Sequence, residues 1–89
     1  MITETDKTRI VELSRKYGVK RVLLFGSAAR VEGDPNDIDL GVAGISDHLF
    51  FKFYGDMMRC LSKPVDLIDL DDGSSFSRLV LREGIALYG

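Results

Sequence analysis

Apolar residues fall into two rhythms along this chain. Ile10, Leu13 and Tyr17 recur at helical spacing behind acidic residues, which predicts a helix over about Thr5 to Tyr17. Gly18 then suits the position just past a helix end. Val22-Leu23-Leu24-Phe25 is a continuous apolar run and predicts a buried strand over Lys20 to Phe25. Gly26-Ser27 ends that strand, Ser27 to Arg30 opens a helical turn, and Gly33-Asp34-Pro35-Asn36 is a loop by composition. Asp37 to Val42 predicts a second strand, with Ile38, Leu40 and Val42 on one face. Ser46 caps a longer helix reaching about Leu61, and Lys63-Pro64 breaks it. Val65 to Leu70 predicts a third strand and Asp71-Asp72-Gly73-Ser74 a turn. Phe76, Leu79 and Val80 suit a short helix closed by Gly84, and Ile85 to Tyr88 a last edge strand. Strands alternating with helices in this order predict a single α/β domain over residues 1–89.

The middle helix is more apolar than a small sheet requires. Leu49, Phe50, Phe53, Met57, Cys60 and Leu61 share an arc that can face the sheet. Phe51 and Met58 lie outside it, and Tyr54 sits on its margin. Two readings stay open: a helix buried broadly on several sides, or one offering a docking surface to another protein.

Composition narrows the field. A chain of 89 residues can bury one core. A net charge of −2 argues against strong nucleic-acid binding, which needs many phosphate-neutralising Lys and Arg. The single cysteine, Cys60, excludes an intramolecular disulfide and a Cys-rich zinc site. No apolar stretch approaches the roughly 18 residues of a membrane span, and the first residues are polar and acidic, unlike a signal peptide. The expected location is the cytoplasm.

Candidate chemistry gathers around the turn after the first strand. Gly26 lets the backbone approach a phosphate, and Ser27 adds a hydroxyl and, if it opens a helix, inward-facing amides. Alone, Gly-Ser after a strand reads as only a tight turn. Asp37 and Asp39 at i and i+2 of a strand leave one face together; they would repel unless a hard cation such as Mg2+, which takes oxygen ligands, lay between them. Solvated carboxylates are the bland alternative. Asp66, inside Val65-Asp66-Leu67-Ile68, is a third carboxylate. It reads as an edge-strand acid facing water, or as the general base and further ligand of a two-metal site. Arg30, three residues past Ser27, can reach a phosphate or remain in solvent. His48 reads as a surface residue, and Arg15, Lys16, Lys20 and Arg21 as a solvated face.

Taken together, Gly26-Ser27, Asp37-x-Asp39 and Asp66 resemble the signature of the DNA polymerase beta nucleotidyltransferase superfamily, and at this size its minimal nucleotidyltransferase (MNT) branch. The likeness runs from about Val22 to Tyr88, and Arg82 to Tyr88 is similar to the usual ending of those proteins. It implies a palm fold, a small mixed sheet with helices packed on one side. It also implies Mg2+-dependent transfer of a nucleoside monophosphate, AMP from ATP, to a hydroxyl. Carried over by position, Gly26, Ser27 and Arg30 would hold the nucleotide. Asp37, Asp39 and Asp66 would bind up to two Mg2+ ions, and Asp66 would activate the acceptor. The family further implies a helical HEPN-type toxin as partner, with AMP placed on its tyrosine and this chain acting as antitoxin, in a homo- or hetero-oligomer.

The match has departures. Nine residues separate Ser27 from Asp37, one fewer than is usual in the branch. Ala28 and Val31 replace a larger or basic residue and a glycine. A trimmed loop leaves room for a second class of function, an antitoxin that neutralises its partner by contact. A third is transfer to RNA or a small molecule, against which the acidic balance counts.

Overall fold

The computed structural model describes residues 2–26 and 36–89. Helix α1 (Glu4–Tyr17) begins at Thr3, whose side chain accepts from the Asp6 amide at 3.1 Å. It ends at Gly18, where φ is 66° and two amides fold back on the last turn: Gly18 donates to the Arg15 carbonyl and Val19 to that of Ser14. Strand β1 (Arg21–Phe25) follows, then β2 (Ile38–Ala43), α2 (Asp47–Cys60), β3 (Val65–Asp69), a 3-10 turn (Leu70–Asp72), α3 (Ser75–Glu83) and β4 (Ile85–Tyr88). The predicted order is reproduced. Ser46 occupies the cap position of α2 without its side chain making the cap hydrogen bond. Ser74 does cap α3, accepting from the Ser77 amide at 3.0 Å.

One boundary shift matters for the site. The second strand starts at Ile38, so Asp37 stands just outside it and the period-two argument does not place its side chain. The predicted helical turn at Ser27 to Arg30 and the loop's residues 33–35 lie outside the described residues.

The sheet is mixed, in the order β3-β2-β1-β4. β1 is antiparallel to both β2 and β4, and β2 runs parallel to β3. The two long helices cover one face. Val22 and Leu24 of β1, Ile38, Leu40 and Val42 of β2, and Val65 and Leu67 of β3 pack there against Ile10, Phe53 and Met57. Each of these larger side chains contributes about 1.5–3 kcal/mol by leaving water. On the opposite face Leu23, Ala43, Leu70 and Val80 form a small second cluster, so the 3-10 turn and α3 shelter only part of it.

The predicted arc of α2 is the buried one. Phe53 and Met57 are fully buried, while Phe51 is 78% and Met58 59% exposed. Broad burial is therefore not how the surplus apolar surface is disposed. Two polar ties hold the helices in place. Buried Asp6 accepts from the Ser62 amide at 3.1 Å and from its hydroxyl at 2.5 Å, pinning the first turn of α1 to the loop before β3. At the other end the Tyr17 hydroxyl donates to Asp56, which also pairs with Arg59. Burial and that carboxylate push the Tyr17 phenol up to about 12. No helix among the described residues is long and apolar enough to cross a membrane.

Candidate active site

Strand pairing assembles the carboxylates. In the parallel pair Asp39 of β2 lies opposite Asp66 of β3, and in the antiparallel pair Asp39 lies opposite Phe25 of β1. Neighbours Ile38 and Leu40 point into the core, so alternation sends Asp39 to the other face. Asp66 leaves the sheet on that same face, because its neighbours Val65 and Leu67 are also core residues. The β2–β3 alignment is continued at its start by the Ile38 amide, which donates to the Pro64 carbonyl at 2.8 Å. Two residues 27 positions apart in sequence thus become side-by-side neighbours.

Gly26 closes the third side. Its φ of +70° is a left-handed conformation that favours glycine. Space demands glycine as well: a Cβ there would lie 2.1 Å from Asp39 Oδ2. The turn's backbone therefore rests directly against the carboxylate, and any anion seated on that turn is brought beside Asp39.

The electrostatics record the crowding. Asp39 is held above the usual carboxylate range, first by partial burial, then by the charge of Asp66 and then by that of Asp37. Asp39 thus senses both of the other predicted carboxylates, Asp37 and Asp66, which are themselves exposed. Among the described residues no three carboxylate, histidine or cysteine side chains converge as a finished cage for an ion. The donor set nevertheless suits a hard divalent cation. It offers only oxygen, and the neighbouring negative charges that raise Asp39 are what a bound cation would offset.

A further side chain reaches this site without having been a candidate in the sequence. The Tyr54 hydroxyl, from α2, donates to the Val65 carbonyl at 3.1 Å on the outer edge of β3 and lies 3.4 Å from Asp66 Oδ1. The sequence signals only that Tyr54 sits on the margin of the helix's apolar arc. Nothing in one chain's order says which strand that margin meets. Of the remaining expected site residues, Ser27 and Arg30 lie outside the described residues. His48 is exposed, as expected.

The chain matches the family model described as polymerase beta, nucleotidyltransferase over residues 8–89. Among solved structures it is similar to a toxin–antitoxin complex crystallised with AMP-PNP: 26% identity, 93% of this chain and 73% of that one covered, TM-score 0.75. It also resembles the toxin–antitoxin pair MntA–HepT, at 22% identity over 98% of this chain and 73% of that one, TM-score 0.73. A third likeness is to a tri-AMPylated Shewanella oneidensis HEPN toxin in complex with an MNT antitoxin, at 24% identity over 94% and 70%, TM-score 0.71. The last two likenesses speak for the fold alone. No curated protein sequence matches the chain.

Proposed function

Starting from a chain that belongs to the polymerase beta nucleotidyltransferase family, we propose that it transfers AMP from ATP to a tyrosine hydroxyl of a HEPN-type toxin, and so acts as that toxin's antitoxin. The observation that carries the reading is Asp39 standing in register with Asp66, with the Gly26 turn pressed against it. The likeness to a toxin–antitoxin complex crystallised with AMP-PNP supports the choice of nucleotide and of partner class.

Each residue has a separable task. Gly26 lets the triphosphate approach backbone amides, with Ser27 and Arg30 as further phosphate contacts. Asp37, Asp39 and Asp66 would hold Mg2+. Bound there, Mg2+ supplies positive charge to the attacking and leaving oxygens of an in-line displacement. Asp66, exposed on an edge strand and so open to an acceptor from solvent, would take the proton of its hydroxyl. The acceptor oxygen forms its bond to the α-phosphorus as the bond from that phosphorus to the bridging oxygen breaks. Pyrophosphate leaves with the electron pair.

The test is incubation with ATP, Mg2+ and the HEPN-type partner, followed by the intact mass of both proteins. Gain of AMP units on the partner, absent with Asp39→Asn, is the expected result. No gain with any nucleoside triphosphate would remove the transferase reading. Exposed Phe51 and Met58 on α2 favour a second reading, in which the partner is held and silenced by contact. It expects Asp39→Asn to neutralise as well as the parent chain.

A further inference from the structure

A cavity of about 370 Å³ opens beside the Gly26 turn, within the size range of small-ligand sites, about 300–1,000 Å³. Its walls come from the end of β1 and one side of α3: Phe25, Gly26, Phe76, Leu79, Val80 and Glu83. Phe25 and Phe76 meet edge to face, with centroids 5.6 Å apart. Phe76 is 52% and Leu79 40% exposed. Large apolar side chains bordering one concavity are the material of a ligand wall more than of a solvated helix face.

The cavity is continuous with the proposed phosphate turn. Gly26 contributes backbone to its lining, while the Cβ direction of the same glycine points at Asp39. A nucleotide whose phosphates rest on this turn, beside Asp39, has the wall of Phe25 and Phe76 adjoining it on the cavity side for its base. The flat face of a base stacks on aromatic rings whatever its sequence of edge atoms. Edge selection falls to Glu83, the charged residue of this wall. A carboxylate only accepts, so it favours a base edge that carries an amino donor.

We infer that this cavity between β1 and α3 is the nucleobase subsite, that it takes an aminopurine, and that Phe76 stacks on the ring while Glu83 accepts from its amino group. The inference rests on the nucleotidyltransferase reading for the nucleotide's presence, and it adds which residues choose the base. A purine is preferred to a pyrimidine because its larger ring covers more of the apolar wall.

The test is titration of the whole chain, with Mg2+, by three ligands: ATP, purine riboside triphosphate, which lacks the amino group, and inorganic tripolyphosphate, which lacks the nucleoside. Phe76→Ala is expected to weaken ATP binding about tenfold or more and to leave tripolyphosphate binding unchanged, which also certifies the fold of the variant. Glu83→Ala is expected to erase the parent's preference for ATP over purine riboside triphosphate. Unchanged ATP binding in Phe76→Ala, an equal loss for ATP and tripolyphosphate, or a preference that survives Glu83→Ala would each overturn the assignment. Transfer assays separate the two claims. A parent chain that binds ATP through these residues and transfers nothing sinks the function and spares the subsite. Normal transfer by both variants at low ATP sinks the subsite alone.

Discussion

Replacing Gly26 by alanine tests the core of the site, because the structure supplies its own control. A methyl group at Gly26 would lie 2.1 Å from Asp39 Oδ2, where ordinary contact begins near 3.4 Å. The carboxylate must therefore retreat by 3.4 − 2.1, about 1.3 Å. The severe clash is with the end of a side chain, so rotation of Asp39 relieves it; Asp39 Cβ, at 3.3 Å, has only to give slightly, and the fold survives. The backbone strain of a left-handed alanine costs about 1–2 kcal/mol, which in a domain of this size lowers Tm by roughly 4–16 °C. Activity suffers far more, because a group displaced by about 1 Å can cost about a hundredfold in rate. Gly18 has nearly the same φ, +66°, with nothing within 4 Å of its Cβ position. Gly18→Ala should thus show the same loss of Tm with no loss of transfer. The assay pairs thermal unfolding with the kcat/KM of AMP transfer for both variants. Equal activity in the two would refute the claim that Gly26 is placed by its contact with Asp39.

Other outcomes follow from the same geometry. Asp39 is raised by burial and by its neighbours' charge, so its charged form is disfavoured in the fold. This carboxyl's contribution is best below its unfolded value and is lost as pH rises through the folded one. Asp39→Asn should therefore have a higher Tm than the parent at pH 7 without Mg2+, with the gap closing below about pH 4; a lower Tm at pH 7 would contradict the crowding. Tyr17, raised to about 12, contributes stability that is full below about pH 10 and lost towards pH 12. Alkaline melts should show that loss, and Tyr17→Phe should flatten it. Tyr54→Phe removes one hydrogen bond at the β3 edge, about 1 kcal/mol. It should lower kcat without changing ATP affinity, and an unchanged kcat would deny Tyr54 any hold on Asp66.

The elements were legible because their signals are local. Gly18 and Gly84 close helices, Pro64 separates α2 from β3, and Val22 to Phe25 needs no partner to read as a buried strand. Half of the site was legible too, since the alternation around Ile38 and Leu40 already puts Asp39 on the face opposite the core. What one chain cannot announce is register. That Asp66 pairs with Asp39 and not with Asp37 depends on how β3 slides along β2, and the Ile38 amide meeting the Pro64 carbonyl fixes it. The same applies to Tyr54. Its ring lies on α2, its hydroxyl acts on β3, and only packing relates the two. Asp37 shows the converse error, in which a residue type at the right spacing invited a strand that begins one residue later.

The place of β1 in the sheet bears on how the protein comes into being. This strand, which carries Gly26 at its tip, lies between β2 and β4, and its second partner is the segment farthest from it along the chain, with Val22 opposite Tyr88. Closing so long a loop is slow and brings little reward until the last strand docks. During synthesis, residues 21–26 are made early and left with a bare edge until residues 85–88 are available. The turn proposed to seat a nucleotide thus acquires its final support only when the last strand docks. A growing chain that already carries Asp39 and Asp66 still waits for β4 before the strand that bears the Gly26 turn has both of its neighbours.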